Sequence, residues 1–328
     1  MTDRATEPAE SSRWDTLITN VLVVRPDADA LQPLDIAIRD GRIVDVAAGL
    51  DKARATDVVD GNGWLAFPGV VDAHMHVGIY HPLREDAVTE SQAAAMGGVT
   101  SSLNYIRTGQ YYLNRGGSYR EVFPEILAQS ADRFHVDYAY HVAPIGRGHL
   151  DEMEWLFTEQ GVSSFKIFMF YGGYGLHGRS SSQRDFLMLE KDERYDYAHF
   201  EFIMRRLERL RAAYPGAADH LSVSLYCEVA DILNAYTMLV EREGTLTGLH
   251  AYHASRPPHA EGLAICIAAY LAHETECVNI NLLHLSSRKA LDAATRMRLA
   301  FPHVDFRSEV TVGHLLLDVD SPAGIGAK

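Results

Sequence analysis

The groups in this chain that can do chemistry fall at the ends of apolar runs. His74 and His76 close the run Val70 to Val77, two residues apart. On a strand that spacing puts both imidazoles on one face, and two neutral imidazoles so placed can reach one divalent ion. An H-x-H pair among 16 histidines is a weak signal by itself, and either ring could instead be a core histidine. Lys166 is the single lysine of an otherwise apolar run, Ser163 to Tyr171. Burial disfavours its ammonium form, so the amine is expected to have a depressed pKa and to become nucleophilic; the alternative is a packed stem with the tip reaching solvent. Cys227 and His284 close two later runs. A thiolate is a good zinc ligand, yet free cysteine ordinarily behaves as a small buried hydrophobe, and both readings of Cys227 stand.

These residues need a frame. Apolar runs at Val70 to Val77, Val99 to Ile106, Val136 to Ala143, Ser164 to Tyr171, Leu221 to Val229, Val278 to Leu285 and Val304 to Thr311 alternate with helical stretches. This is the βαβ texture of a parallel sheet. Eight such steps close a (β/α)8 barrel of ~250 residues. A doubly wound open sheet is the competing fold, but the chain lacks the Gly-rich phosphate loop that usually accompanies it. The expected architecture is α/β: a TIM-type (β/α)8 barrel over residues 67–328, lacking its last strand in this chain. It follows a small N-terminal β-sandwich part, 14–66, read as antiparallel, and a disordered tail, 1–13. In a barrel the reactive groups sit at the C-terminal ends of the strands, where His74, His76, Cys227 and His284 fall.

Composition narrows the function classes. The 328 residues are 47% hydrophobic and 23% charged, which is globular, and the formal charge of −14 argues against a nucleic-acid partner. No stretch is long and apolar enough to suggest a membrane span. Residues Met1 to Glu10 are polar with no apolar core, and the three cysteines, Cys227, Cys266 and Cys277, are odd in number and widely spaced. The expectation is a cytoplasmic protein without a secretory signal or a disulfide framework.

From about Leu17 onward these motifs resemble the cyclic amidohydrolases of the dihydropyrimidinase and hydantoinase branch. Phe67-Pro68-Gly69-Val70-Val71-Asp72-Ala73-His74-Met75-His76 resembles that family's first-strand signature. Ser164-Phe165-Lys166 followed by Tyr171 resembles the segment with a carboxylated lysine and, five residues on, a substrate-binding tyrosine. Tyr252 to Pro258 followed by Glu261, His284-Leu285-Ser286-Ser287, and Glu309 to Asp318 resemble further family segments.

The resemblance implies two divalent ions, most often zinc, bridged by carboxylated Lys166. His74 and His76 would hold one ion and His284 the other, and a metal-bound hydroxide would open a hydantoin, dihydropyrimidine or related imide ring. Tyr171 would donate to the developing oxyanion. It also implies a homo-oligomer, dimer or tetramer, acting on a small cyclic amide.

Two departures qualify the resemblance. Cys227 stands where the family has a histidine, and would be either a substitute ligand or an inert core residue. The family's strand-eight aspartate, a metal ligand and general base, would lie beyond Lys328, so the expectation is a truncated version of a longer protein or one completed by a second segment. Two other functions remain open on the same fold: a scaffold or binding protein with impaired catalysis, and a deaminase or lactonase. The Gly- and Ser-rich stretch Tyr174 to Tyr197, with Arg179, Arg184 and Lys191, is long for a βα loop and is read as a candidate substrate lid or a solvated loop. His141, His177, His253 and Glu309 fall near the expected mouth without an assigned role.

Overall fold

The computed structural model describes residues 13–172 and 182–321. The tail expected at 1–13 lies, except for Arg13, outside them, as do Tyr174, His177 and Arg179 of the expected lid. The chain divides into two compact units, Met1–Val70 and Val71–Lys328.

The first unit is one five-stranded sheet, built from β1 (Trp14–Val23), β2 (Gln32–Arg39), β3 (Arg42–Ala47), β4 (Ala55–Asp60) and β5 (Leu65–Ala66). Asp40 and Gly41 join β2 to β3 with φ of 52° and 69°. Two successive left-handed residues make the hairpin turn whose twist matches that of its strands, and Asp-Gly is the pair that tolerates it. The strand order is β3-β2-β1-β4, with β5 also pairing β1. The first three strands are antiparallel, but β4 and β5 run parallel to β1, so the unit is a mixed sheet rather than the antiparallel one expected. Residues 48–54, including the short 3-10 turn Lys52–Arg54, carry the chain from β3 on one edge to β4 beside β1. A period of two reads the same in either direction, so the pattern could not reveal this. Trp14, Leu17, Ala37 and Ala55 form the small core, and the Arg54 guanidinium lies 4.2 Å from the Trp14 ring.

The second unit alternates strand and helix as the runs dictate. Its elements are β6 (Val70–His76), α1 (Leu83–Met96), β7 (Val99–Ile106), α2 (Tyr119–Ser130), β8 (Asp137–Val142), α3 (Arg147–Gln160) and β9 (Ser164–Phe168). They continue with α4 (Gln183–Leu187), α5 (Tyr197–Ala213), β10 (Ser222–Tyr226), α6 (Ala230–Glu243), α7 (Gly248–Ala254) and α8 (Pro258–Glu274). The last are β11 (Asn279–Leu282), α9 (Arg288–Ala300), β12 (Asp305–Ser308) and α10 (Val312–Leu316). The strands form one curled seven-stranded sheet in chain order, β6 to β12, and successive pairs from β7 onward are parallel. This is the barrel architecture without an eighth strand among the described residues.

Every residue of β9 is buried, and the sheet packs on helix faces such as Phe200, Ile203, Met204 and Leu207 of α5. Burying each such side chain stabilises the fold by about 1.5–3 kcal/mol. Asp196 and Ser287 accept backbone N–H groups at the starts of α5 and α9, fixing where these helices leave the sheet. The fourth strand stops at Phe168 rather than Tyr171, because Met169–Gly172 winds into a 3-10 turn. An unbroken apolar run carries no period to mark that change.

Candidate metal centre and substrate cavity

The C-terminal end of β6 and the middle of β9 bring three nitrogens together. Lys166 Nζ lies 2.9 Å from His74 Nε2 and 3.4 Å from His76 Nε2, and the two Nε2 atoms are 3.2 Å apart. Lys166 is 1% exposed, and its amine sits 3.6 Å from the centre of the Tyr105 ring. His284, just after β11, stacks its ring 5.3 Å from that of His74 and meets the edge of Tyr226 at 4.2 Å. His284 has a φ of 36°, an uncommon backbone state for a residue with a side chain, and its N–H donates to Glu309 Oε1 at 3.0 Å.

Burial decides the charge of this cluster. It lowers Lys166 well below the usual lysine range; Glu309 opposes that shift and Arg107 adds to it. His74 and His76 are likewise depressed by burial first, with Lys166 contributing to both, and His284 is pushed down to about 3 by burial, Lys166 and His74. At neutral pH the imidazoles are therefore uncharged and have lone pairs to offer.

Glu309, just beyond β12, orients the first of them: its Oε1 lies 2.7 Å from His74 Nδ1. A neutral His74 that donates Nδ1–H there presents its Nε2 lone pair toward Lys166 Nζ, the arrangement found where carboxylates support metal-ligating imidazoles. His76 Nδ1 is 3.1 Å from the Tyr112 hydroxyl. Gly78, with φ of 83°, permits the sharp exit from β6 beside Tyr112, because a Cβ there would sit 3.3 Å from Tyr112 Cα. Its N–H is held by Asp86 Oδ2 at 2.7 Å.

Among the described residues no three histidine, cysteine, aspartate or glutamate side chains form a ready-made cation site. The third convergent donor is the lysine amine. Two neutral imidazoles with engaged Nδ1 atoms, plus a lysine freed of its proton or converted to an oxygen donor, make a donor set that suits a divalent ion.

Cys227 is not brought to this cluster. It is 2% exposed, its Sγ lies 3.8 Å from Leu225 O, and burial pushes its thiol well up, away from the thiolate form a metal needs. At this strand end Tyr226 and Glu228 reach the cavities instead. His141 stacks on Tyr105 at 4.3 Å, with its Nε2 3.2 Å from Ala73 O, and burial lowers it to about 4.

The cluster opens into a cavity of about 540 Å³ lined by His74, His76, His284, Tyr171 and Arg107, with Phe168 and Phe170 among its apolar walls. A second cavity of about 510 Å³ shares Tyr226 and His284, and holds His253 and the Arg256–Glu228 ion pair. Tyr171 is buried, and its hydroxyl accepts a hydrogen bond from Arg107 Nε at 3.3 Å. Neither Glu309 nor Arg107 has an assigned role in the sequence reading. The signal for each is a charged residue at the close of an apolar run.

No protein-family model matches the chain. It is 27% identical over 325 residues to a D-hydantoinase from Rhizobium radiobacter, covering 96% of this chain and 62% of that protein. Over 328 residues it is 28% identical to an allantoinase from Escherichia coli O1:K1, covering 95% of this chain and 62% of that protein. The structure of an L-hydantoinase (dihydropyrimidinase) from Arthrobacter aurescens superimposes with a TM-score of 0.75 at 21% identity, covering 95% of this chain and 62% of that one. A dihydropyrimidinase from Brevibacillus agri gives a TM-score of 0.74 at 22% identity, with coverages of 94% and 60%. The chain thus spans less than two thirds of the length of these relatives. In sequence along nearly its whole length the chain is similar to a D-hydantoinase and an allantoinase, and in fold it is similar to hydantoinase and dihydropyrimidinase structures.

Proposed function

We propose that this chain carries the metal-ligating and substrate-binding face of a hydrolase that opens a cyclic amide, namely a hydantoin, a dihydropyrimidine or a related imide. The observation that carries the reading is the convergence of Lys166 Nζ with His74 Nε2 and His76 Nε2 at 2.9 and 3.4 Å, in the wall of a cavity that also contains Tyr171. His74, His76, Lys166 and His284 would hold divalent metal, zinc being the ion that nitrogen and oxygen donors suit. When bound, such metal supplies Lewis acidity toward the amide carbonyl and a nucleophile from water at neutral pH.

The chain's own residues do the rest. Lys166, deprotonated by burial, adds its lone pair to the carbon of CO₂ and loses a proton, becoming an anionic carbamate. Glu309 holds His74 in the tautomer that leaves Nε2 free. Tyr171 accepts from Arg107 Nε–H, so its own hydrogen is left to donate to the carbonyl oxygen as charge develops there. Phe168, Phe170 and Tyr226 line the cavity with apolar surface that displaces water. The reading carries with it a homo-oligomer, which sedimentation of the purified protein checks, and a cytoplasmic location, which cell fractionation checks.

The test is a substrate panel of hydantoins, dihydrouracil, dihydroorotate and cyclic imides, assayed with zinc-loaded protein. Ring opening of at least one, lost in Lys166→Ala, is expected. Hydrolysis of a purine or a lactone but of no cyclic amide would overturn the reading, as would protein without stoichiometric metal whose behaviour Lys166→Ala leaves unchanged.

A further inference from the structure

Arg107 immediately follows β7 and is 3% exposed, yet no carboxylate pairs with it among the described residues. Among the described residues, only neutral groups hold its guanidinium. Nε donates to the Tyr171 hydroxyl, Nη1 donates to Thr108 O and Gln110 O at 2.9 Å each, and the rings of Phe186, Tyr171 and Tyr112 lie 4.7, 5.1 and 5.4 Å from its central carbon. Nη2 has no hydrogen-bond partner among the described residues, and the side chain forms part of the wall of the 540 Å³ cavity.

An arginine cannot shed its proton as Lys166 does, so this charge is permanent. Aromatic faces and carbonyl oxygens solvate it without neutralising it, and a buried charge without a counter-ion among the described residues is costly. An oxyanion is the group that Nη2, whose N–H bonds are uncommitted among the described residues, would hold by a charge-assisted hydrogen bond. The cavity's size allows a ring at the imidazole–lysine cluster and a substituent beside Arg107.

We propose that Arg107 is the specificity-determining residue of this cavity, and that the substrate is a cyclic amide whose exocyclic substituent ends in a carboxylate received by Arg107 Nη2. Tyr171 links the two ends, accepting from Arg107 and facing the reacting carbonyl. The inference rests on the cyclic-amide reading above and adds the charge of the substrate to it.

The probes are hydantoin-5-acetate and its neutral counterpart 5-ethylhydantoin, assayed with the zinc-loaded protein and with R107K and R107M. The wild-type protein is expected to prefer the anionic substrate. R107M is expected to lose on the order of 10²-fold more kcat/KM on hydantoin-5-acetate than on 5-ethylhydantoin, chiefly through KM. R107K, which keeps the charge but not the planar guanidinium, falls between. Equal losses on both substrates would mean that Arg107 only holds Tyr171 in place, and would overturn the proposal. So would a wild-type preference for the neutral ring, which decides the matter even if R107M does not fold. If neither hydantoin is hydrolysed, the reaction assigned above fails separately, and calorimetric titration of hydantoin-5-acetate then decides the anion site. Binding that R107M loses upholds it, and no binding overturns it.

Discussion

Two sides of the same cavity treat buried positive charge in opposite ways. Around His74, His76, His284 and Lys166, burial depresses every group that can lose a proton, leaving lone pairs where charges would have been. Around Arg107 no proton can leave, and the chain surrounds the guanidinium with Tyr112, Tyr171, Phe186 and two backbone carbonyls. The first arrangement leaves the donors that the proposed function gives to a metal; the second keeps a fixed cation in the cavity wall. The choice between lysine and arginine at a buried position therefore sets what kind of partner each wall can take.

Each side of that comparison can be broken separately. The largest effect is expected from Lys166→Met, which keeps the volume but removes the donor. Hydrolysis should fall by ~10³-fold or more in steady-state assays, while thermal unfolding shows stability retained or raised, because an isolated buried amine has been replaced by an apolar chain. A fully active Lys166→Met protein would end the argument that this wall supplies ligands. Tyr171→Phe, at the junction of the two walls, should lower kcat by ~10²-fold with little change in KM; a loss confined to KM would show that the phenol binds ground state and transition state alike. Glu309→Gln should weaken zinc binding by ~10- to 100-fold in a chelator competition titration, because the carboxylate no longer fixes His74.

The smallest effect concerns pH. His141 is lowered to about 4 by burial, against 6.5 in the unfolded chain. As pH falls from 6.5 toward 4 the unfolded state takes up a proton that the folded state refuses, so stability declines across that window and is fully present above it. Removing this group with His141→Phe should flatten the decline, measured by denaturant unfolding at several pH values, by at most about 1.4 kcal/mol per pH unit. Arg107, charged throughout, contributes nothing to that slope.

Much of the barrel was legible because parallel strands read as continuous apolar runs: each of the seven runs contains one of β6 to β12. The direction of β4 and β5 was not, since alternation is the same for both orientations. Within the site, strand alternation placed His74 and His76 on one face, and the lysine alone among apolar neighbours in β9 is buried to its tip rather than reaching solvent. The same alternation worked against Cys227, because Tyr226 and Glu228, one residue to either side, are the positions that reach the cavities. Arg107 escaped notice and Glu309 was placed near the mouth without a role, for a common reason. A charged residue just past a strand is ordinarily solvated, and only the rings packed around Arg107, or the 2.7 Å bond to His74, distinguish these two.

The central claim, that burial converts the His74–His76–Lys166 wall into a metal-binding donor set, is tested most directly by titrating zinc into the wild-type protein and Lys166→Met against a chromophoric chelator. Stoichiometric binding by the wild type, weakened by at least ~10-fold in Lys166→Met, is the result this account expects. Zinc affinity that is absent from the wild type, or identical in both proteins, would contradict it.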